Sequence, residues 1–135
     1  MERNPTVLRY KAIGSALVGA CMLICAACGI ASTHAFIQAS VVVPGQVVAL
    51  NAGPHHPQIS FVTKTGKTIS YPQNGFVTLH VGDPVQVRYL PQDPEISATL
   101  NQFGALYDTT IFLILMASCF LVVGVGGLIW PHLAY

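Results

Sequence analysis

Residues 109–129 read TTIFLILMASCFLVVGVGGLI, 21 consecutive residues without a charge, twelve of them Leu, Ile, Val or Phe. At ~1.5 Å of rise per residue this stretch reaches about 31 Å as a helix, the hydrocarbon thickness of a bilayer. Toward the N-terminus, residues 12–30 (AIGSALVGACMLICAACGI) form a second uncharged run of 19, about 28 Å by the same measure. A chain of 135 residues has too little else to bury two such helices on every side, so both read as membrane spans. Composition agrees: 8% of the residues are charged, about a third of the roughly 25% usual in soluble domains. That excludes a disordered chain, a nucleic-acid binder built on a basic patch, and an ordinary soluble enzyme.

The two spans differ in kind. The first has only six Leu, Ile, Val or Phe, and twelve of its 19 positions are Ala, Gly, Ser or Cys. Inside a membrane, apolar bulk gives little preference for protein over lipid, whereas close backbone approach does. The small-xxx-small pairs Ser15/Gly19 and Ala16/Ala20, with Cys21 and Cys119 at similar depth in the two spans, therefore mark a helix-packing surface. Its partner is the second span, a second copy of the chain, or a different subunit.

Charge sets the orientation. Residues 1–11 carry Arg3, Arg9 and Lys11 against Glu2, and the segment 31–108 is slightly acidic. The positive-inside rule then places both termini in the cytoplasm and the middle segment outside a bacterial inner membrane. The basic start and apolar run also suit a signal peptide, and Val18-Gly19-Ala20-Cys21 approximates a lipoprotein cleavage box. The apolar run continues to Ile30, however, so the segment reads as an uncleaved anchor. The expected organisation is a cytoplasmic segment at 1–11, a first span and exit at 12–37, and an extracytoplasmic domain at 38–104. The second span then occupies 105–130 and a cytoplasmic tail 131–135.

Between the spans the apolar period becomes that of strands. Val41–Val43 and Gln46–Leu50 are separated by Pro44-Gly45. Ile59–Thr63 and Thr68–Tyr71 flank the hairpin turn Lys64-Thr65-Gly66-Lys67. Further strands are expected at Phe76–Val81, Val85–Tyr89 and Ile96–Leu100, with no helical period in the stretch. The fold class is thus membrane α+β: two transmembrane helices flanking a small, barrel-like antiparallel domain of five or six short strands. The domain contains no cysteine, so disulfides play no part in its folding.

One run is distinctive: Val81-Gly82-Asp83-Pro84-Val85-Gln86-Val87-Arg88-Tyr89-Leu90-Pro91-Gln92-Asp93-Pro94. With the Gly45-Gln46-Val47-Val48 strand and the flanking apolar helices, it resembles a widespread bacterial membrane family classed as a domain of unknown function. That resemblance covers roughly 40–129 and implies two spans around an extracytoplasmic β domain; it brings no reaction with it. The Pro54-His55-His56-Pro57 insert and the few charges depart from the family pattern.

Candidate chemistry is sparse. Cys21, Cys25 and Cys28 share one stripe of the first helix and suit soft metals or redox transfer. The plainer reading is small hydrophobes where helices pack. His55 and His56 lie together in a Pro-bounded loop, but no His-x-x-x-His spacing supports zinc, so the pair reads as a partner-contacting loop. Asp83 and Asp93 suit turns, and Asp108 suits the start of the second helix. No nucleophile elbow, P-loop or dinucleotide fingerprint occurs, and the spans hold no ionisable residue except cysteine, which argues against a pump or channel. The expectation is no catalytic site, no metal and no cofactor. The first reading of function is an accessory or scaffold protein of the inner membrane, whose partners are lipid and either a membrane or periplasmic protein or a second copy. The alternatives are an immunity protein neutralising a membrane- or periplasm-acting toxin, and a metal or redox carrier.

Overall fold

A computed structural model describes residues 4–130. Residues 1–3 of the expected cytoplasmic segment and the whole expected tail, 131–135, lie outside the described residues. The first helix, α1 (Pro5–Ala39), starts on an Asn-Pro pair. The Asn4 side-chain oxygen accepts from the Thr6 amide at 3.0 Å, and Pro5 gives up an amide proton that would have had no partner in the first turn. Its 35 residues amount to about 52 Å, so α1 exceeds the expected span at both ends. The last helix, α4 (Asp108–Ile129), opens with an acid at its positive dipole end. Both helices are long and apolar enough to cross a membrane.

The described residues form two compact units, one of 4–29 with 109–130 and the other Ile30–Asp108. In the first unit the buried residues are Ala12, Gly19 and Ala26 on α1 and Thr110, Ala117 and Gly124 on α4. Each set recurs every seven residues, the period of a left-handed two-helix seam. A side chain at Gly19 would meet Leu121 and Ala117, one at Gly124 would meet Ala12 and Ala16, and one at Gly29 would meet Thr110. Later residues of α1 thus face earlier residues of α4, so the helices run antiparallel. The packing partner of the first span is the second span of the same chain.

The second unit holds a five-stranded antiparallel half-barrel sheet. Its strands are β1 (Val41–Leu50), β2 (Pro57–Val62), β3 (Thr68–Pro72), β4 (Pro84–Tyr89) and β5 (Thr99–Leu100), in the order β3-β2-β1-β4-β5. Alternate residues point inward: Val85, Val87 and Tyr89 are buried on β4, and Ile59 and Phe61 on β2. They join Val43, Val47, Ile69, Tyr71, Val77 and Leu100 in one core, in which the Phe61 ring lies 5.4 Å from that of Tyr89 and 6.0 Å from that of Tyr71.

Three sequence expectations change here. Pro44 does not break the first strand. The bonds between Val47 and the Gly82–Asp83 turn place odd-numbered β1 residues in the hydrogen-bonded pairs with β4. The Pro44 nitrogen therefore faces away from β4, one residue before β1–β2 pairing begins at Gly45, and its missing proton costs no ladder bond. Phe76–Val81 is not a strand. Val77 is buried as the alternation predicts, but the Phe76 amide donates to Gly104 and that of Leu79 to Pro54, so its backbone serves loops. Ile96–Leu100 divides into a one-turn helix, α2 (Pro94–Ser97), and β5. Proline at the helix start and a Ser97 amide donating to the Asp93 carbonyl at 3.1 Å favour the turn over extension. A second single turn, α3 (Phe103–Leu106), precedes α4.

The outer strands β3 and β5 make no ladder with each other among the described residues, yet the sheet curls enough for one side chain to join them. Buried Gln73, just past β3, accepts from the Leu100 amide at 2.8 Å and exchanges bonds with the Thr99 hydroxyl. A primary amide replaces the missing strand pairing, which satisfies a buried amide of β5.

Candidate functional site

The candidate surfaces fall into the helix pair and the half-barrel. On α1, Gly19 is buried and Ser15 and Ala16 are half-buried at the contact with α4, whereas Ala20, Cys21 and Cys119 are exposed. The Ser15 hydroxyl donates to the Phe120 carbonyl at 2.8 Å, a polar contact of the kind that holds membrane helices together. Cys25 and Cys28 are exposed too, and all four thiols are free. Surrounded by apolar residues of the spans, they face outward from the pair.

His55 and His56 lie in the β1–β2 loop and are exposed. The His55 ring nitrogen Nδ1 lies 2.8 Å from the Val77 carbonyl and 3.2 Å from the Thr78 hydroxyl, while Nδ1 of His56 lies 3.2 Å from the Asn74 side-chain oxygen. The two rings thus pin the loop to residues 74–78. Among the described residues no group of three or more His, Cys, Asp or Glu converges as metal ligands would.

The carboxylates also have structural partners. Asp83 accepts from the His80 amide at 2.8 Å and closes its turn. Glu95 on α2 pairs with Lys67 of the β2–β3 turn, and this exposed hydrogen-bonded cation holds the Glu95 carboxyl below the usual carboxylate range. With a depressed folded-state pKa, the pair's contribution exists above the ordinary glutamate range and disappears as pH falls through the lowered value. Replacing Lys67 by Met returns Glu95 to the ordinary range, readable in a carboxyl-resolved NMR titration. The midpoint of thermal unfolding stays nearly unchanged, because exposed pairs contribute little.

Several residues that organise the half-barrel were not singled out by the sequence. Arg88, half-buried on β4, donates from Nη1 to the Ile37 carbonyl and the Ser40 hydroxyl at 2.9 and 3.0 Å, and from Nε to Asn101 at 3.0 Å. A cation thus satisfies a terminal carbonyl of α1. Its sequence signal is a lone arginine at a position where β4 alternates outward. The Tyr89 hydroxyl accepts from the Lys64 amide at 2.8 Å and anchors the hairpin turn. The Tyr71 hydroxyl, by contrast, is buried without a partner among the described residues.

Burial pushes the Tyr71 phenol well above its ordinary value. The unfolded chain then loses this proton first, so stability falls as pH rises above ~10, the ordinary tyrosine value. Tyr71→Phe removes both that alkaline loss and an unsatisfied hydroxyl. Denaturant unfolding at neutral pH shows the variant equally stable or up to about 2 kcal/mol more stable, with a flatter pH profile above 10.

These groups cap helices, close turns and pin loops. No protein-family model matches the chain, the resemblance drawn on the Val81–Pro94 run included, and no solved structure matches it. Over 95 residues, 70% of this chain, it is 43% identical to a protein of Pseudomonas aeruginosa named immune protein Tsi4, of which the matched stretch spans 66%.

Proposed function

We propose that this chain is an immunity protein, held in the bacterial inner membrane by α1 and α4, that neutralises a membrane- or periplasm-acting toxin by binding it. The observation that carries this reading is the 43% identity over 95 residues to a protein named as an immune protein. The accessory-subunit reading rests on the same surfaces, the half-barrel and the helix pair. The similarity favours a toxin as their partner over a structural subunit, and nothing in the metal or redox reading is comparably supported. No reaction is required of such a protein, since occupying the toxin suffices.

In this reading the basic start of the chain and residues 131–135 are cytoplasmic, and the half-barrel stands in the periplasm. The antiparallel helix pair supports placing both ends on one side. The β1–β2 loop with His55 and His56 is the proposed contact region of the half-barrel. Deleting the gene in the bacterium that carries it tests the proposal. The deletion strain is expected to be inhibited in co-culture with its parent and rescued by the plasmid-borne chain. Equal growth of deletion strain and parent in that co-culture overturns it.

A further inference from the structure

Two phenylalanines of the half-barrel unit are largely exposed. Phe103 is 70% exposed and Phe76 58% exposed, although Phe61, Tyr71 and Tyr89 of the same unit are buried. They are held side by side. The Phe76 amide donates to the Gly104 carbonyl at 2.9 Å, and residue 104 must be glycine because any Cβ there would fall on the Phe76 carbonyl. The Phe103 ring also packs on that of Tyr107, with centroids 5.0 Å apart. The result is a fixed aromatic patch facing solvent.

Its place along the chain says what covers it. Phe103 precedes the start of α4 at Asp108 by five residues, a reach of at most about 18 Å. The Leu106 carbonyl accepts from the Thr33 hydroxyl at 3.3 Å. Thr33 lies three residues beyond Ile30, the end of the first apolar run, which is about 5 Å of helix rise. Both routes tether the patch within a short length of chain of the two apolar runs, and aromatic side chains anchor membrane proteins where such runs leave the hydrocarbon.

We propose that Phe76, Phe103 and Tyr107 form a membrane-contacting foot, with their rings in the headgroup–acyl boundary of the outer leaflet. The phospholipid surface is then a ligand of the half-barrel unit as well as of the helices. This inference requires the helices to cross a bilayer and is independent of the immunity reading.

Phe103→Trp and Phe76→Trp, made separately in a Trp130→Phe background, test it in the full chain reconstituted into phosphatidylcholine–phosphatidylglycerol vesicles. Leu115→Trp, in the middle of α4, serves as the depth control. Circular dichroism checks that each variant folds, and a cysteine at the same position, carrying a polarity-sensitive fluorophore in a background with Ala at Cys21, Cys25, Cys28 and Cys119, replaces any that does not. The expected result is blue-shifted emission from both foot positions, loss of it with lipids brominated near the headgroup, and protection from aqueous iodide. Iodide access at either foot position, while deep bromines quench Leu115→Trp, overturns the foot and leaves the patch to a protein partner. If deep bromines fail to quench Leu115→Trp, the bilayer placement itself is wrong and the foot falls with it.

Discussion

Gly124→Leu separates α1 and α4 and is expected to cost about 1–3 kcal/mol or more of helix-pair stability. A first side-chain carbon at this position would lie 2.8 Å from the Ala12 carbonyl oxygen and closer still to the Ala16 amide. Both neighbours are helix backbone, so relief requires moving the helices apart. Separation would cost the Ser15–Phe120 hydrogen bond and the close approach of Gly19 to Ala117 along with it. Gly14→Leu is the matched control: it makes the same gain in helix propensity, and nothing lies within 4 Å of the added carbon. Titration of the detergent-solubilised chain with a denaturing detergent is expected to unfold the first variant early and the second no earlier than the native chain.

Ile59→Ala acts on the other unit. Ile59 has no exposed surface and lies on β2, opposite Val47 of β1 and Tyr71 of β3. Removing it creates a cavity in a well-filled core, at a cost of about 2–5 kcal/mol. Domains have only about 5–15 kcal/mol to lose, and this unit is small, so the half-barrel is expected to unfold near growth temperature. Protease sensitivity of the segment 41–100 rises, while the helices, whose seam is untouched, stay in the membrane fraction. In co-culture this variant is expected to protect poorly despite normal membrane abundance.

How far the sequence foretells this structure depends on the range of the interactions involved. The spans are legible because uncharged, largely apolar runs of 21 and 19 residues have few alternatives. The small residues of the first span announce close packing. The interface nevertheless repeats at seven residues, through Ala12, Gly19 and Ala26, while the pairs at four-residue spacing only partly coincide with it. Ala20 and Cys21 share the composition of the seam without its phase. Strand alternation locates β4 well, because Val85, Val87 and Tyr89 are selected by one buried face. It misleads at Phe76–Val81, where side chains alternate but the backbone partners, Pro54 and Gly104, lie far off in sequence. Gln73 and Arg88 are illegible for the same reason, since their roles depend on a curl that brings distant residues together. The function is less legible still. Recognition leaves no catalytic spacing in a sequence, so similarity to a named relative supports what composition could only offer as an alternative.

The account depends on where the half-barrel stands, and impermeant labelling of intact cells tests that most directly. Lys64, exposed in the β2–β3 turn, becomes the sole thiol when Lys64→Cys is combined with Ala at Cys21, Cys25, Cys28 and Cys119. A charged maleimide added to whole cells, with the outer membrane made permeable where one is present, is expected to label this residue before lysis. Labelling that appears only after the inner membrane is broken would put the half-barrel in the cytoplasm and contradict the account.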